Sequence, residues 1–358
     1  MNRSQRGATA SAGGRGGPWP PAADGSVARR DDDELAIAAF AAESGLHLVA
    51  VPNGERYAAF RRRFDPARYR SALGETGLSF VGRSDREFPP LLRAIHDPPV
   101  GLFLRGAAAP ELLRRPAAAV VGARACSSYG AEVARTLGRD LAVAGVVVVS
   151  GLARGIDGEA HRGALEGKAT TVAVLGCGID RDYPVSHAGL AARIAENGLI
   201  VSEYAPGVEP APWRFPARNR IIAGLAGATV VVEARERSGA LITADLALEE
   251  GREVFAVPGE ITGALSAGTN RLLQLGATPL LAADDVLAVF GLTAPVAVAP
   301  EVGDAARAVL EALRDEPRGA DELARTAGIA AAELAAALTE LELAGAVRER
   351  EGVYRALR

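Results

Sequence analysis

The sequence has few of the side chains that build disulfide or metal sites. Its 358 residues include two cysteines, Cys126 and Cys177, and four histidines. Two thiols cannot form a disulfide framework, and they are too few for a zinc site of cysteine ligands. We therefore expect a protein without a disulfide framework, a bound metal or another cofactor.

Long apolar runs are also absent. No run approaches the roughly 18 residues that a membrane-spanning helix needs. The N-terminal residues 1–26 carry charges but lack the apolar core of a signal peptide. The sequence therefore predicts a cytoplasmic protein without a membrane span.

Lysine is almost missing. Lys168 is the only lysine, and the other 39 of the 40 basic residues are arginines. Phosphate recognition must therefore use arginine or backbone N–H groups, because GALEGK (163–168) lacks the spacing and the following Ser or Thr of a P-loop. The net charge of −4 does not indicate a nucleic-acid-binding protein, so any anion site must be local.

Short runs of β-branched and small apolar residues are abundant. The predicted strands are AAAVVG (117–122), GVVVVS (145–150), TTVAVLG (170–176), GLIVSEY (198–204), ATVVVEA (228–234), EVFAVPG (253–259) and TPLLA (278–282). Segments of helical periodicity lie between them. This alternation predicts an α/β fold, an extended Rossmann-like, doubly wound parallel sheet whose ligands bind at the carboxyl ends of the strands.

Composition changes along the chain predict five regions. Residues 1–32 are rich in Gly, Ala, Pro and Arg and are predicted to be a disordered tail, and 33–87 form a small helical segment. Residues 88–291 form the Rossmann-like core, and 292–303 are an Ala/Pro/Val linker. Residues 304–358 read as three helices followed by strand, turn and strand, which is the element order of a winged helix.

The first strand does not continue into a dinucleotide-binding fingerprint. It is followed by VVGARACSSYG, in which Arg124 and Ser127 stand where a G-x-G-x-x-G motif would place glycines. In LGCGIDRDYP, after the third strand, Arg181 occupies the position of the third glycine. Dinucleotide binding is therefore disfavoured, whereas Arg124 and Ser127 are candidates for binding another phosphate ligand.

Two further strand ends carry candidate anion-binding loops. SGLARGIDGEAH (150–161) offers Gly151 and Gly155 for tight turns and Arg154 at an exposed tip. Ser238 and Gly239 open a later helix and can present N–H groups to a phosphate, although a plain turn explains them nearly as well.

The stretch FPARNRIIAG (215–224) places Arg218, Asn219 and Arg220 before an apolar helical face. Cations at a helix N-terminus oppose the helix dipole, and a docked anion would reverse that effect. Arg214 and Phe215 precede them, and arginines beside aromatic rings suit a site for single-stranded nucleic acid. The alternatives are that Phe215 packs on the sheet edge and that the arginines pair with acids at neighbouring strand ends.

These motifs, in this order, resemble the DprA (Smf) family of bacterial DNA-processing proteins. The resemblance implies a core that binds and protects single-stranded DNA, forms a homodimer, and loads the RecA recombinase during natural transformation, without an enzymatic activity. Arg124 matches the family's G-[SA]-R motif and residues 218–220 its R-N-R motif, while residues 151–157 match its G-x-A-x-G-I-D loop. The expected anion is therefore a DNA phosphate.

The chain departs from the family at both ends. Residues 33–87 lack the G-x-G pattern of the SAM-like N-terminal domain. Residues 304–358 contain 11 acids and 8 arginines, and the expected recognition helix has glutamates but no basic residue. Because phosphates would repel such a helix, the winged-helix module is predicted to be a protein-contact or regulatory domain rather than a DNA reader.

Two other functions remain open. One is a nucleotide-processing enzyme of a lysine-decarboxylase-like family, whose P-G-G-x-G-T-x-x-E run is split here between residues 258–260 and 268–270 and lacks its glutamate. The other is a winged-helix transcription regulator with a nucleotide-sensing core, which the acidic recognition helix disfavours.

Overall fold

The computed structural model describes residues 27–45, 52, 54–294, 302–350 and 352–356. The chain divides into two compact units, Met1–Ala294 and Pro295–Arg358. Most of the predicted tail and linker, at residues 1–26 and 295–301, lies outside the described residues.

The first unit contains nine strands and eleven α-helices in its described part. The strands are β1 (Leu78–Gly82), β2 (Gly101–Arg105), β3 (Ala117–Val121), β4 (Val147–Ser150), β5 (Thr171–Val174), β6 (Leu199–Ser202), β7 (Ala228–Val231), β8 (Glu253–Ala256) and β9 (Thr278–Pro279). The helices are α1 (Val27–Ser44), α2 (Glu55–Arg63), α3 (Pro66–Glu75), α4 (Pro90–Arg93), α5 (Ser128–Val143), α6 (Ile156–Glu166), α7 (Ala188–Asn197), α8 (Arg214–Leu225), α9 (Gly239–Glu249), α10 (Ala267–Gln274) and α11 (Ala283–Val289).

All nine strands form one sheet in the order β1-β2-β6-β5-β4-β3-β7-β8-β9. The seven strands predicted from apolar runs are present and pair in parallel. The predicted parallel sheet is confirmed over these seven strands, and two further strands extend it at one edge, where β1 pairs antiparallel with β2 and β2 antiparallel with β6. The sheet is therefore mixed but mostly parallel.

Helices cover both faces of the sheet, as continuous apolar strands require. All five residues of β3 are buried. On one face of the sheet, the core includes residues of α4, α8, α9 and α10. On the other face, a second core includes residues of α5, α6 and α11. Residues of α1, α3 and α7 extend this second core along the sheet. This packing confirms the doubly wound architecture.

The strand order changes direction between β3 and β7. From β3 the chain proceeds through β4, β5 and β6 on one side, and it then returns to place β7 on the other side of β3. Ligands of doubly wound sheets bind outside the carboxyl ends of the strands at such a switch point. The loops after β3 and β7 therefore mark where a site is expected.

Helix α1 begins at Val27, whereas the predicted disordered tail runs to residue 32. Residues 27–32 are therefore helical. The acidic residues of α1 hold the end of β1: Asp31 Oδ1 accepts a hydrogen bond from Gly82 N at 2.9 Å, and the Glu34 carboxylate accepts one from Ser84 N at 3.0 Å. Glu34 is 1% exposed, and this burial raises the pKa of its carboxyl to about 7.

The second unit has the predicted winged-helix order. It comprises α12 (Asp304–Ala312), β10 (Arg318–Gly319), α13 (Ala320–Ala327), α14 (Ala331–Leu343), β11 (Val347–Arg350) and β12 (Val353–Ala356). The strands form an antiparallel sheet in the order β10-β12-β11. Helix α14 buries Leu334, Ala337, Leu338 and Leu341 in the core of this unit.

Candidate nucleic-acid interface

A cleft of about 380 Å³ lies at the switch point and is lined mainly by arginine side chains and small residues. The loop after β3 contributes Arg124, the loop after β7 contributes Arg235 and Arg237, and α8 contributes Arg218. Asp157 is the one carboxylate among the lining residues. The cleft therefore has a net positive charge although the whole chain is negative.

A second cleft of about 160 Å³ adjoins the first and shares Arg124, Phe215 and Arg218 with it. Arg154, from the loop after β4, and Tyr183 also line it. Arg124 Cζ lies 5.5 Å from the centroid of the Phe215 ring, and the Tyr183 ring stacks on Phe215 at 5.2 Å. Cations and aromatic rings thus stand together, as predicted for this edge of the sheet.

The R-N-R triplet does not precede its helix. Helix α8 begins at Arg214, and the triplet lies in its second turn. The first turn of a helix tolerates Pro216 because its N–H groups have no intrahelical partners. The argument from the helix dipole therefore does not apply to Arg218 and Arg220, which are 4% and 9% exposed.

Arg218 lies beneath the clefts and contacts the backbone of two strand ends. Its guanidinium donates hydrogen bonds to Gly151 O at 2.9 Å and to Val174 O. A Cβ at Gly151 would lie 2.5 Å from Arg218 Nη2 and 2.8 Å from Asp157 Oδ2, so a larger residue there would displace one of these two side chains. Burial lowers the pKa of Arg218 to about 10, which leaves the guanidinium charged at neutral pH.

Arg220 lines neither cleft. It forms a bidentate ion pair with Glu203, at 2.9 and 2.7 Å, and donates from Nε to Asp97 Oδ2 at 3.0 Å. The side chains of Arg220 and Glu203 are 10% and 8% exposed. This arrangement matches the alternative in which an arginine of the triplet pairs with an acid at a strand end.

Ser127 is engaged at the start of α5 and lines neither cleft. Its N–H donates to Glu233 Oε2 at 2.8 Å, its hydroxyl donates to the same carboxylate, and its Oγ accepts from Gly130 N at 3.0 Å. The N-terminus of α5 is an anion site, and the Glu233 carboxylate occupies it. Ser127 therefore stabilises the loop that carries Arg124.

Arg214 and Gly155 also lie outside the lining of both clefts. Arg214 Cζ lies 4.8 Å from the Trp213 ring and 5.2 Å from the Tyr204 ring. Gly155 has φ +75°, and a Cβ there would lie 2.2 Å from Ala123 O. Gly155 thus allows the loop after β4 to approach the loop after β3.

The start of α9 opens onto the larger cleft. Ser238, Gly239 and Ala240 line the cleft, and no acid occupies the first turn of this helix. Ser238 Oγ accepts from Ala240 N at 3.3 Å, and Asn219 Nδ2 donates to Gly239 O at 3.2 Å. The helix N-terminus adds positive potential to that of the arginines.

Among the cationic and aromatic residues that line the clefts, three were not singled out from the sequence. Arg235 and Arg237 directly follow the β7 run in EARERSG, so the rule that strand ends bind ligands could have found them. Tyr183 lies several residues beyond β5, and its contact with Phe215 depends on the fold.

Metal-binding clusters and membrane-spanning helices are both absent from the part of the chain that the structure describes. There, no group of three or more His, Cys, Asp or Glu side chains could hold a metal ion. Within the same residues, no helix is both long and apolar enough to cross a membrane.

Fold and site together define a Rossmann-like protein with an arginine-lined switch point and a winged-helix unit. Residues 79–291 match the family described as DNA recombination-mediator protein A, and residues 293–352 match the DprA winged helix domain. The chain therefore belongs to the DprA family.

Relatives and solved structures agree with this membership. The chain is 47% identical to DNA processing protein DprA of Streptococcus pneumoniae over 57% of its own length and 71% of the relative. It is 43% identical to Protein Smf of Escherichia coli over 77% and 76%. The crystal structure of the S. pneumoniae DprA superposes with a TM-score of 0.60 at 38% identity, covering 72% of this chain and 92% of that one.

A second solved structure comes from Helicobacter pylori. It is a DNA processing protein A whose unique mode of binding single-stranded DNA is described with it. It superposes with a TM-score of 0.54 at 31% identity, covering 60% of this chain and 95% of that chain.

Proposed function

We propose that this chain is a cytoplasmic protein of DNA uptake and recombination that binds single-stranded DNA at the two switch-point clefts. It protects the incoming strand and loads RecA onto it, as a homodimer through the Rossmann-like core, and it is not an enzyme. Membership of the DprA family and the described DNA-binding mode of the H. pylori protein support this proposal.

The observation that carries the proposal is the composition of the clefts. Exposed arginines from three strand-end loops, at 124, 154, 235 and 237, surround two aromatic rings and the start of α9. Guanidinium groups and N–H groups bind phosphate, and aromatic faces stack on any base. Such a surface favours flexible single strands without a strong sequence preference.

Fluorescence anisotropy with a labelled thymidine oligonucleotide tests this function. If the four exposed arginines each neutralise one phosphate, the slope of log K against log salt is roughly −0.7 per phosphate, or about −3 in total. A duplex of the same length should compete weakly. Binding that is independent of salt, or tighter to duplex, would contradict the proposal.

A mononucleotide competitor addresses the nucleotide-processing alternative. A single nucleotide contacts few of the arginines, so it should displace the oligonucleotide only at far higher concentration. Tight mononucleotide binding together with a released product would instead support an enzyme.

Loading of RecA requires its own assay. The chain should shorten the lag before RecA forms filaments on single-stranded DNA that is coated with single-strand-binding protein, as followed by RecA ATP hydrolysis. Sedimentation equilibrium of the same preparation tests the homodimer. An unchanged lag at saturating DNA binding would remove the loading role and leave DNA binding intact.

A further inference from the structure

The loop after β4, residues 151–155, has a backbone that local sequence alone does not favour. Leu152 has φ +58° and Gly155 has φ +75°, so two positions of this short loop are left-handed. Leucine rarely adopts such a φ, because its Cβ then crowds the following carbonyl. The loop therefore depends on contacts with the rest of the fold to keep its conformation.

Hydrogen bonds hold this loop on either side of Leu152 and at Leu152 itself. The N–H groups of Gly151 and Ala153 donate to the Asp157 carboxylate at 3.1 and 3.3 Å. The Leu152 side chain is fully buried, and its carbonyl accepts a hydrogen bond from Nδ1 of His187 at 3.0 Å. His187 thus contacts the residue whose backbone is left-handed.

His187 is buried and lines neither cleft. It ends the 3-10 turn Val185–His187 ahead of α7 and is 7% exposed. A carbonyl only accepts hydrogen bonds, so Nδ1 carries a proton. A Cβ at Gly158 would lie 2.7 Å from His187 Cε1, which shows that the imidazole also packs against the first turn of α6. The ring is therefore held by a directed hydrogen bond and by close backbone packing.

The hydrogen bond from His187 joins two walls of the smaller cleft. Arg154 lies in one wall, two residues after Leu152, and Tyr183 and Ser186 lie in the other, just before His187. Arg154 is exposed, whereas the two residues that the hydrogen bond connects are buried. The buried contact therefore sets the place from which the exposed guanidinium reaches a ligand.

We propose that His187 is a positioning residue for DNA binding. Its Nδ1–H group holds the Leu152 carbonyl, and the loop after β4 then presents Arg154 to a phosphate of the bound strand. A loop that is held in this way loses less conformational freedom when it binds. This inference rests on the proposed function, since Arg154 is one of the DNA contacts proposed there.

Two substitutions of His187 separate its hydrogen-bond donor from its bulk. His187→Leu fills space without a donor, whereas His187→Asn keeps an N–H donor at the same branch of the side chain as Nδ1. An arginine–phosphate contact contributes about tenfold or more in affinity. In anisotropy titrations with the thymidine oligonucleotide, we expect His187→Leu to bind about fivefold or more weakly and His187→Asn to stay within about twofold of the wild type.

A double-mutant cycle tests whether His187 acts through Arg154. Arg154→Ala alone should weaken binding about tenfold and make the slope of log K against log salt shallower by roughly 0.7, the value for one phosphate. Adding His187→Leu to Arg154→Ala should then cause little further loss, because the arginine that depends on the hydrogen bond is already missing. Fully additive losses would overturn the assignment.

Two matched changes distinguish positioning from general damage to the fold. His161→Leu removes another buried imidazole, which pairs with Thr171 at 2.9 Å, and should leave the affinity per folded molecule unchanged. Gly158→Ala keeps the imidazole but displaces it, since the heavy atoms nearest to the added Cβ belong to the side chains of His187 and Arg162. It should reproduce the loss of His187→Leu, and it decides the question if His187→Leu does not fold.

Thermal unfolding gives the folded fraction of each variant, so that affinities are compared per folded molecule. Wild-type affinity in His187→Leu or in Gly158→Ala would overturn the assignment, and so would an equal loss in His187→Asn and His187→Leu. In each of these cases the wild-type chain still binds the oligonucleotide, and the proposed function stands. If the wild-type chain does not bind it, the proposed function fails and the assignment fails with it.

Discussion

The chain contains two places where proteins of known folds bind nucleic acid, and their chemistry is opposite. At the switch point of the core, five arginines and one aspartate line the two clefts. On α14, the recognition helix of the winged-helix unit, Glu333, Glu340 and Glu342 are exposed, and no residue of the helix is basic. The clefts lie at the switch point of a doubly wound sheet, and α14 has the place of the recognition helix in a winged helix. Each element thus has the position at which its fold binds nucleic acid in other proteins.

The difference shows that a fold supplies position and the side chains supply function. A winged helix places its recognition helix for insertion into a groove, but phosphate attraction provides much of the affinity. Helix α14 has the placement without the charge. The switch-point clefts have both, so we expect DNA to bind at the core and α14 to contact another partner.

The largest expected effect tests whether Arg220, which lies outside the clefts, contributes to stability rather than to DNA binding. Replacing Arg220 with Met leaves the Glu203 carboxylate buried without its bidentate partner. Breaking such a buried pair costs about 3–5 kcal/mol of the free energy of unfolding. We expect a large fall in melting temperature, measured by calorimetry, with unchanged DNA affinity per folded molecule.

A matched change and a double variant sharpen that test. Arg62→Met makes the same substitution at an exposed position of α2 and should leave stability unchanged. Arg220→Met with Glu203→Gln removes both charges and should recover part of the loss. A stable Arg220→Met variant with weak DNA binding would restore the interpretation of the R-N-R triplet as a direct phosphate site.

The next effect concerns the exposed arginines. Arg124→Ala combined with Arg237→Ala removes two guanidiniums from separate loops of the larger cleft. Charge-assisted hydrogen bonds contribute about 1.5–3 kcal/mol each, so affinity for single-stranded DNA should fall by roughly a hundredfold or more. Anisotropy titrations at fixed salt measure this loss, and the melting temperature should stay near that of the wild type.

The double variant Arg56→Ala with Arg62→Ala removes the same charge from exposed positions on α2. Its affinity should remain within about threefold of the wild type. An equal loss in both double variants would show that DNA responds to the total charge of the protein rather than to the clefts, and the comparison between the two regions would fail.

Features that depend on local sequence could be predicted, and the edge of the sheet at which the clefts lie is among them. Runs such as AAAVV (117–121) are apolar throughout, so they form buried parallel strands, and the loops that follow them meet at one edge. Arg124 and Arg154 were found in this way, and both line the clefts.

Features that depend on distant partners could not be predicted. The environment of Arg220 is set by Asp97, 123 residues earlier, and by Glu203, 17 residues earlier. Strand β1 is recognisable only through its pairing with β2, because its five residues include neither a long Val/Ile run nor strict alternation. The stack of Tyr183 on Phe215 likewise joins two loops that are separate in the sequence.

The smallest expected effect tests the second of the two compared regions, the winged-helix unit. Truncation after Ala294 removes the winged-helix unit and with it α14. Because α14 repels phosphates, affinity of the remaining core for single-stranded DNA should stay within a few-fold of that of the full chain, which corresponds to less than about 1 kcal/mol. In the full chain, Glu333→Gln with Glu342→Gln should bind the same oligonucleotide like the wild type, since the proposed DNA contacts are all in the core. Anisotropy titrations of the three proteins at one salt concentration provide the measurement. A loss on truncation as large as that of the Arg124/Arg237 variant would place a DNA contact in the winged-helix unit despite its charge.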